Sequence, residues 1–269
     1  MQDGADYFGW LSEEFLGVNM IHTDYSKIAH KYDNGKDRKH FEKDKHIHGL
    51  IESMPDNIKV LDLSCGTGNY LKKQIESFPD SNIEWFGVDY SVDMLNVAKG
   101  KLPNIELIKA PAEEIPFKDN YFHYIHCSNA FHHYYNKEKA ISEMNRVLKQ
   151  KGIIEISSIA PEFMHYSWVY TFFPESLMID KKRFWSHEMI FNELESHGFI
   201  VQANVTYSYS RERLTDILSM AQNRDASQLN LISEQCYNEG MKIIQDKLEQ
   251  NIGATFLRSF AIMRIVASR

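Results

Sequence analysis

The order of apolar segments along the chain predicts a doubly wound α/β fold, a mostly parallel seven-stranded sheet with helices on both faces. Short apolar runs alternate with segments of helical periodicity between residues 58 and 159. A turn with two glycines follows the first run directly. Hydrophobic residues make up 43% of the 269 residues, which is enough for a continuous core. Together these observations favour alternating strands and helices over an all-helical or all-strand fold.

The predicted strands are apolar runs that end at turn residues or charged residues. In chain order they are Ile58–Leu63, Ile83–Val88, Ile105–Ile108, Tyr121–Cys127, Gly152–Ile159, Phe199–Tyr207 and Thr255–Val266. Helical spacing predicts helices from about Asn69, over Ser91–Gly100, over Lys137–Leu148 and over Ser186–Ser196. Because right-handed crossovers place helices on either side of a parallel sheet, both faces are expected to be covered.

We expect one domain, residues 1–269, in three parts. Residues 1–53 are polar with helically spaced apolar residues and predict a helical lid before the sheet. Residues 54–160 predict the cofactor-binding core. Residues 161–269 predict the last strands and insertions that roof the substrate. An aromatic run in this part predicts either a pocket lining or a seal onto the core. The residues expected to form this lining or seal are Tyr166, Trp168, Tyr170 and Phe173.

Composition narrows the function classes. With 30 basic and 37 acidic residues the net charge is −7, so nucleic acid is not expected as a partner. The three cysteines are too few for a disulfide framework and favour a reducing compartment. No apolar run reaches the roughly 20 residues of a membrane span, and the first ten residues lack a secretory leader pattern. We expect a cytoplasmic protein without a membrane partner, and no pattern indicates an oligomeric state.

A glycine turn marks the expected ligand site. In an open parallel sheet a ligand binds beyond the carboxyl ends of the strands, where the strand order reverses. Gly66 and Gly68 lie in the turn after the first strand, and glycine lets a ligand approach the main chain closely. Asp89 ends the second strand, where a carboxylate accepts hydrogen bonds from a ribose diol. This pairing indicates a ligand of the adenosine type.

Two residues favour S-adenosylmethionine (SAM) over a nicotinamide dinucleotide. The third glycine of a dinucleotide fingerprint would fall at position 71, which is occupied by Leu71. Asp62 adds a negative charge that would repel a diphosphate, whereas SAM carries an ammonium and a sulfonium group. SAM is therefore the expected cofactor.

Several segments resemble the class I SAM-dependent methyltransferases, most closely the small-molecule group called methyltransferase type 11. Val60–Gly68 resembles the first motif of that family, and Gly87–Ser91 resembles its second, ribose-binding motif. Ala112–Phe117 resembles the loop that holds the adenine, although Pro111 stands where the family often has an aspartate. The resemblance covers about Tyr25–Ile159 and implies methyl transfer from SAM to a small molecule.

The cofactor-binding residues that the resemblance implies come from the lid, the two motifs, the adenine loop and the end of the fourth strand. They are Tyr25, Tyr32, Asp62, Ser64, Gly66, Gly68, Asp89, Tyr90, Met94, Ala112, Glu113 and Ser128. Asp62 is implied near the amino group of SAM and Asp89 at the ribose hydroxyls. The resemblance leaves open whether the main chain or Glu113 binds the amino group of the adenine. For the two lid tyrosines, and for Tyr90 and Met94, packing against the core is the alternative.

Two adjacent histidines after the fourth strand are the candidate catalytic residues. The leaving group of a sulfonium is already activated, so methyl transfer mainly needs a positioned nucleophile. A base is required when the nucleophile arrives protonated, and His132 or His133 would suit that role. The alternative is that one packs on the following helix and the other is solvated. No metal site is predicted, because adjacent histidines point apart in a regular element and His40, His46 and His48 lack nearby cysteines.

The predicted function is transfer of a methyl group to the N, O, S or C atom of a small metabolite by in-line displacement. Two alternatives stay open. One is a catalytically inactive SAM-binding protein that serves in regulation or as a subunit. The other is a dinucleotide oxidoreductase, which Leu71 disfavours.

Overall fold

The computed structural model describes residues 29–34, 41–54, 57–79 and 82–269. Within these ranges the strands are β1 Ile58–Leu63, β2 Ile83–Asp89, β3 Glu106–Lys109, β4 Phe122–Ser128, β5 Leu148–Ile159, β6 Ile200–Arg213 and β7 Thr255–Ser268. The α-helices are α1 Lys45–Ser53, α2 Asn69–Ser77, α3 Val92–Lys101, α4 Lys137–Val147, α5 Trp168–Phe172, α6 Pro174–Arg183, α7 His187–Ser196, α8 Leu214–Gln222 and α9 Glu234–Gln250. Among these helices, none is both long enough and apolar enough to cross a bilayer.

The seven strands form one sheet in the order β3-β2-β1-β4-β5-β7-β6. β1 pairs in parallel with β2 on one side and with β4 on the other, and β4 pairs in parallel with β5. The order of strands reverses at β1: β2 and β3 are added on one side of β1, and β4 and β5 are added on the other. A crevice therefore opens at the carboxyl ends of β1 and β4. β7 runs antiparallel to both β5 and β6. The predicted doubly wound, mostly parallel seven-stranded sheet is confirmed.

Alternate residues of each strand point to opposite faces of the sheet, and each face packs against a different layer of helices. On one face Val60 and Tyr124 pack with Ile47 of α1. On the other face Leu61 belongs to the cluster that contains Ile141 of α4. Burial of an aliphatic side chain of this size stabilises the fold by about 1.5–3 kcal/mol. The helices therefore fix the sheet from both sides and leave its carboxyl edge for the site.

β5 begins earlier than the sequence predicts. It starts at Leu148, which pairs with Phe122, and the pairing shifts before it continues from Ile153. Lys151 adopts a positive φ of 61° within this irregular start. The apolar run that begins at Gly152 marks only the regular part of the strand.

β6 and β7 extend beyond the rest of the sheet as a two-stranded ribbon. The last residue of β5 that pairs with β7 is Ile159, opposite Ile262, whereas β6 remains paired with β7 as far as Arg213. Most β6 side chains are exposed in this stretch. The sequence prediction stopped at Tyr207 because a ribbon that is open to water lacks the apolar alternation of a half-buried strand.

A second apolar cluster, which we call the roof, is built from residues 161–184 and 214–250. Trp168, Tyr170 and Phe173 are buried in it, while Tyr166 is 54% exposed. The Tyr170 hydroxyl donates a hydrogen bond to Asp180 at 2.7 Å. Of the two predictions for the aromatic run, sealing of the insertion therefore describes these three buried side chains.

Candidate active site

The turn between β1 and α2 exposes its main chain at one glycine. Ser64, Gly66 and Gly68 have positive φ values of 63°, 53° and 75°. A Cβ on Gly68 would meet Leu102 Cδ1 at 2.9 Å, so glycine is required for the turn to pack beside α3. A Cβ on Gly66 would meet nothing within 4 Å. The main chain at Gly66 is thus open to a ligand above the sheet edge.

Asp89, the last residue of β2, ties the second strand to this turn. Its Oδ2 accepts a hydrogen bond from Gly66 N at 2.8 Å, and its Oδ1 accepts one from Ser91 N at 2.8 Å. Burial raises the pKa of the Asp89 carboxyl group, and the two backbone hydrogen bonds oppose that rise. A carboxylate offers about four lone-pair sites, so acceptor capacity remains for ligand hydroxyl groups.

The residues after Asp89 differ in exposure. Tyr90 is 72% exposed, and Lys109 Nζ lies 5.9 Å from its ring centroid. Ser91 caps α3 by accepting a hydrogen bond from Met94 N at 3.3 Å. Met94 is 3% exposed and belongs to the core. The Tyr90 ring is therefore accessible to a flat ligand, whereas Met94 follows the core-packing alternative.

Ala112 and Glu113 are both buried beside the sheet edge. Glu113 Oε1 accepts a hydrogen bond at 3.1 Å from the main chain of Asn136, the N-cap residue of α4. Burial raises the pKa of the Glu113 carboxyl group, and the backbone hydrogen bond from Asn136 opposes that rise. Because this carboxylate holds the start of α4, the loop main chain is favoured over Glu113 as partner for an adenine amino group.

Asp62 on β1 has a partner that sequence reasoning missed. His126 Nδ1 on β4 lies 2.9 Å from Asp62 Oδ1, and both side chains are buried. Burial raises the pKa of the Asp62 carboxyl group, and His126 acts in the opposite sense. Asp62 is therefore part of a buried acid–base pair under the sheet edge.

Tyr134 is a second residue that the sequence did not single out. Its hydroxyl lies 3.0 Å from Ser64 Oγ and 3.1 Å from Cys127 Sγ. Burial raises the pKa of the Tyr134 hydroxyl well above its usual value, and it raises the pKa of the Cys127 thiol to about 12. All three groups are therefore protonated near neutral pH and connect the end of β4 to the glycine turn.

The end of β4 presents Ser128 and the two candidate catalytic histidines. The Ser128 hydroxyl accepts a hydrogen bond from Ser157 Oγ on β5 at 2.9 Å. His132 stacks on Phe184 of the roof, with ring centroids 4.0 Å apart and planes 11° from parallel. The ring of His133 lies 4.0 Å from that of His132. The structure therefore brings both histidines to the junction of sheet edge and roof.

His132 is held neutral by its surroundings. Burial lowers the pKa of its imidazole well below the usual value, and the nearby charges of His133, Arg183 and Lys137 lower it further. Its Nδ1 is buried without a hydrogen-bond partner among the described residues. Nδ1 is therefore the position at which this ring can accept a proton or a hydrogen bond, and the lowered pKa makes His132 a weaker base than an exposed histidine.

Arg183, at the end of α6, is the second side chain here with an unused nitrogen. Its Nε and Nη2 donate to Asp180 Oδ1, with Nε at 3.1 Å. Its Nη1 is buried and has no partner among the described residues. Asp180 also accepts from Tyr170 and Gln228. One edge of the guanidinium is thus fixed by Asp180. Nη1 lies on the other edge, and the charge of Arg183 is close enough to His132 to lower the pKa of that imidazole.

Residues 29–34, which belong to the segment predicted as a lid, contact the glycine turn. Asp33 accepts hydrogen bonds from Thr67 Oγ1 at 2.6 Å and Asn69 Nδ2 at 3.0 Å, and it pairs with Lys101. Tyr32 lies in the same 3₁₀ helix, Ala29–Asn34, and is half-buried. Tyr25 lies outside the described residues. Residues 29–34 therefore anchor on the turn that the sequence assigned to the cofactor.

The other histidines weighed as metal ligands have separate surroundings. His46 Nε2 lies 3.3 Å from Glu155, and the exposed His48 lies 3.7 Å from Glu52. His40 lies outside the described residues. The described residues bring the ligand atoms of one group of three possible ligands within 4.8 Å of one another, at the start of α7. They belong to Glu162, His187 and Glu188.

Part of the chain is similar in sequence to known methyltransferases. A family model described as a methyltransferase domain matches residues 60–152. The ubiquinone/menaquinone biosynthesis C-methyltransferase UbiE of Campylobacter jejuni is 35% identical over 103 residues, which cover 37% of this chain and 44% of that protein. The chain spans about half the length of the curated relatives it matches.

Two solved structures share the fold. A protein of Anabaena variabilis, described as a methyltransferase from an antibiotic biosynthesis pathway, superposes with a TM-score of 0.65 at 17% identity, covering 84% of this chain and 98% of that one. Phosphoethanolamine N-methyltransferase 2 of Haemonchus contortus, in complex with SAM, gives a TM-score of 0.53 at 19% identity, covering 90% of this chain and 56% of that one. Residues 60–152 therefore match a methyltransferase domain, and the chain has the fold of SAM-dependent methyltransferases.

Proposed function

We propose that this chain transfers a methyl group from SAM to a small-molecule acceptor. The hydrogen bond between Gly66 N and Asp89 Oδ2 carries the proposal, because it locks a glycine turn and a ribose-type carboxylate together at the reversal of strand order. The match of residues 60–152 to a methyltransferase domain supports it independently.

The residues at the sheet edge fit SAM. Open space above Gly66 admits a ligand against the main chain, and Asp89 retains acceptor capacity for ribose hydroxyls. The exposed Tyr90 ring suits the adenine, and Asp62 supplies a carboxylate for the ammonium group. Ala112 and Glu113, through their main chain, together with Ser64, Gly68, Ser128 and Tyr32, complete the proposed cofactor surface. When bound, SAM supplies a methyl group on an activated sulfonium.

The chain contributes positioning, exclusion of water and a base. The roof, residues 161–184 and 214–250, contacts the segment after β4 through the stack of Phe184 on His132, and we assign to it the exclusion of water from the reacting atoms. His132 is neutral and accepts a proton from an acceptor hydroxyl, amine or thiol at Nδ1. Arg183 Nη1 stabilises negative charge on that acceptor, and His133 orients the neighbouring ring. A base of this kind contributes about 10²–10⁴-fold to the rate.

The acceptor is proposed to be a small metabolite, with ring hydroxyls or ring carbons tested first. The relative named above acts in the biosynthesis of ubiquinone and menaquinone. The net charge of −7 disfavours a nucleic acid acceptor. We place the reaction in the cytoplasm, without a membrane partner, in one domain whose residues 161–269 shape the acceptor site. Of the predicted lid, residues 1–53, we assign that role to residues 29–34, which contact the glycine turn, because α1 packs against a face of the sheet.

The test combines binding with turnover. Calorimetric titration with SAM and with S-adenosylhomocysteine (SAH) measures affinity, and release of SAH is then followed across metabolite pools and a reduced 1,4-naphthoquinone. Micromolar binding with SAH release from one pool supports the enzyme. Binding without turnover in any pool would favour the regulatory SAM-binding alternative, and no binding would overturn both.

A matched pair of variants tests the base. His133→Ala and His132→Ala are each expected to slow transfer, by roughly a hundredfold for the histidine that acts as base. His48→Ala, an exposed histidine on α1, is the control and should leave turnover unchanged. Unaltered turnover in both site variants would return the two histidines to a packing role.

A further inference from the structure

A cluster of basic side chains lies at the amino-terminal edge of the sheet, opposite the proposed active site. It consists of Lys59 at the start of β1, Lys118 just before β4, His123 at the start of β4 and Lys149 at the start of β5. The Glu84 carboxylate on β2 pairs with Lys59. Lys118 and Lys149 therefore keep this edge positive, although the whole chain has a net charge of −7.

Two observations fix the position of the proton on the His123 ring. The main-chain N–H of Lys59 donates a hydrogen bond to His123 Nδ1 at 2.9 Å, so Nδ1 carries a lone pair and no proton. Burial lowers the pKa of the His123 imidazole, and the charges of Lys149 and Lys59 lower it further. The ring is therefore neutral near neutral pH, and a neutral imidazole with a free Nδ1 has its proton on Nε2.

The proton on Nε2 in turn determines the state of Lys149. Lys149 Nζ lies 3.0 Å from His123 Nε2. An ammonium group has three donors and no acceptor, so it cannot form a hydrogen bond with an Nε2–H group, whereas an uncharged amine accepts one. Burial lowers the pKa of the Lys149 amino group, and Lys59 and Lys118 lower it further while Glu84 opposes them. The contact therefore favours the amine form of Lys149.

The surroundings of Lys149 suit a reaction with an anion. Its side chain is only half-buried, so a reagent can reach it from solvent. Desolvation and neighbouring cations activate a lysine as a nucleophile, because the uncharged amine is the form that attacks a carbonyl carbon. The charges of Lys59 and Lys118 also raise the local concentration of an anionic reagent. Nucleophile and attraction are thus combined at one side chain.

We propose that Lys149 is a site of covalent acylation by anionic acyl donors of the acyl phosphate class. The amine lone pair attacks the carbonyl carbon, and the new N–C bond forms as the C–O bond to phosphate breaks. The phosphate leaves with that electron pair and takes one amine proton, so the products are an amide at Lys149 Nζ and hydrogen phosphate. The modification is independent of methyl transfer and of the cofactor.

The decisive experiment measures acylation of the wild-type protein. Acetyl phosphate is added at about pH 7.5, where an ordinary lysine is almost fully protonated. Mass spectrometry of peptides then follows acetylation of Lys149 over time, with Lys72 and Lys242 as internal controls, because each is exposed and pairs with a carboxylate. Lys149 is expected to react roughly tenfold faster than either control.

A second reagent separates the amine form from the attraction of charge. Acetic anhydride is a neutral acetyl donor, so it should also favour Lys149 over the two controls, but by a smaller factor than acetyl phosphate does. When acetic anhydride labelling is repeated over a range of pH, the rate at Lys149 should level off at a lower pH than the rates at Lys72 and Lys242.

A change of His123 tests the hydrogen bond. His123→Asn retains an acceptor oxygen near the position of Nδ1 for the main chain of Lys59, and it removes the Nε2–H donor that faces Lys149. The rate of Lys149 with acetic anhydride should then fall to within about twofold of that of Lys72.

A change of Lys118 tests the attraction of charge. Lys118→Gln removes an exposed cation near Lys149, so it should slow the reaction with acetyl phosphate more than the reaction with acetic anhydride. Lys242→Gln, the same change on α9, should leave both rates at Lys149 as in wild type.

The outcomes bear directly on the proposal. Equal rates at Lys149 and the controls with acetyl phosphate would overturn it, and so would a preference for Lys149 that appears with acetic anhydride alone. Wild-type rates in His123→Asn would show that the hydrogen bond does not maintain the amine. The comparison of reagents uses wild-type protein, so it decides the matter even if His123→Asn folds poorly.

Discussion

Asp89 combines a structural and a proposed binding task within one side chain. Its two oxygens already accept hydrogen bonds from Gly66 N and Ser91 N, which fix the turn and the start of α3. Its remaining lone pairs are the ones proposed to accept hydrogen bonds from the ribose hydroxyls. A change at this residue therefore affects both the shape of the turn and the binding of a ribose.

Replacing Asp89 by alanine is expected to weaken SAH binding by about 1.5–3 kcal/mol, because hydrogen bonds to a charged group contribute about that much. Calorimetric titration measures the loss. Asp89→Asn retains an acceptor oxygen and should lose less, and melting curves without ligand report any loosening of the turn. An alanine variant that binds SAH as tightly as wild type would remove Asp89 from the cofactor site.

Short motifs in the sequence were sufficient to find Gly66, Gly68 and Asp89, because each lies at a strand end that an apolar run makes visible. His126 and Tyr134 were missed for a physical reason. Their partners, Asp62 and Ser64, lie 64 and 70 residues away in the chain. His126 meets Asp62 through the register of β4 on β1, and Tyr134 meets Ser64 because both follow the ends of these neighbouring strands, which no local pattern encodes. The contact of Asp33 with Thr67 is hidden in the same way.

At the scale of whole elements, helix starts were predicted well and strand ends less well. Ser91 and Ser186 cap α3 and α7 through their hydroxyls, as short side-chain acceptors do at helix starts. β5 and β6 have ends at an irregular pairing and in an exposed ribbon, where apolar periodicity is absent. Periodicity reports burial, so it finds an element only where one face is covered.

Replacement of two helical glycines by alanine is expected to change the free energy of unfolding in opposite directions. A Cβ on Gly240 of α9 would meet the Phe172 carbonyl oxygen and the Phe173 ring at 2.5 Å, so Gly240→Ala should lower the free energy of unfolding by about 1–3 kcal/mol. Gly49 of α1 has open space, and Gly49→Ala should raise that free energy by about 0.5–1 kcal/mol. Urea denaturation measures both, and a stabilising Gly240→Ala would contradict the close packing of α9 on α5.

At the scale of the whole molecule, the segment after β4 contacts the roof at His132, whose ring stacks on Phe184. Burial lowers the pKa of this imidazole well below its usual value, so the folded state holds it neutral. The unfolded chain binds a proton there below about pH 6.5. Acid therefore favours the unfolded state at this position, and stability rises with pH through that window.

His132→Phe, which keeps the stacking surface on Phe184, should remove this part of the pH dependence. Between about pH 6.5 and about pH 5.5 the wild-type free energy of unfolding should fall by about 1 kcal/mol more than that of the variant. Urea denaturation at several pH values measures the difference, with His48→Phe as the exposed control. Parallel curves for wild type and His132→Phe would show that His132 is not held neutral by folding.

The place of β7 between β5 and β6 has a consequence for synthesis. The ribosome delivers β6 before β7, yet within the described part of the chain β6 pairs with no strand other than β7. Until β7 emerges, the free edge of β5 and the whole of β6 present unpaired main-chain groups, which are templates for pairing with other chains. Until β7 is synthesised, the nascent chain therefore exposes strand edges that can pair with other chains.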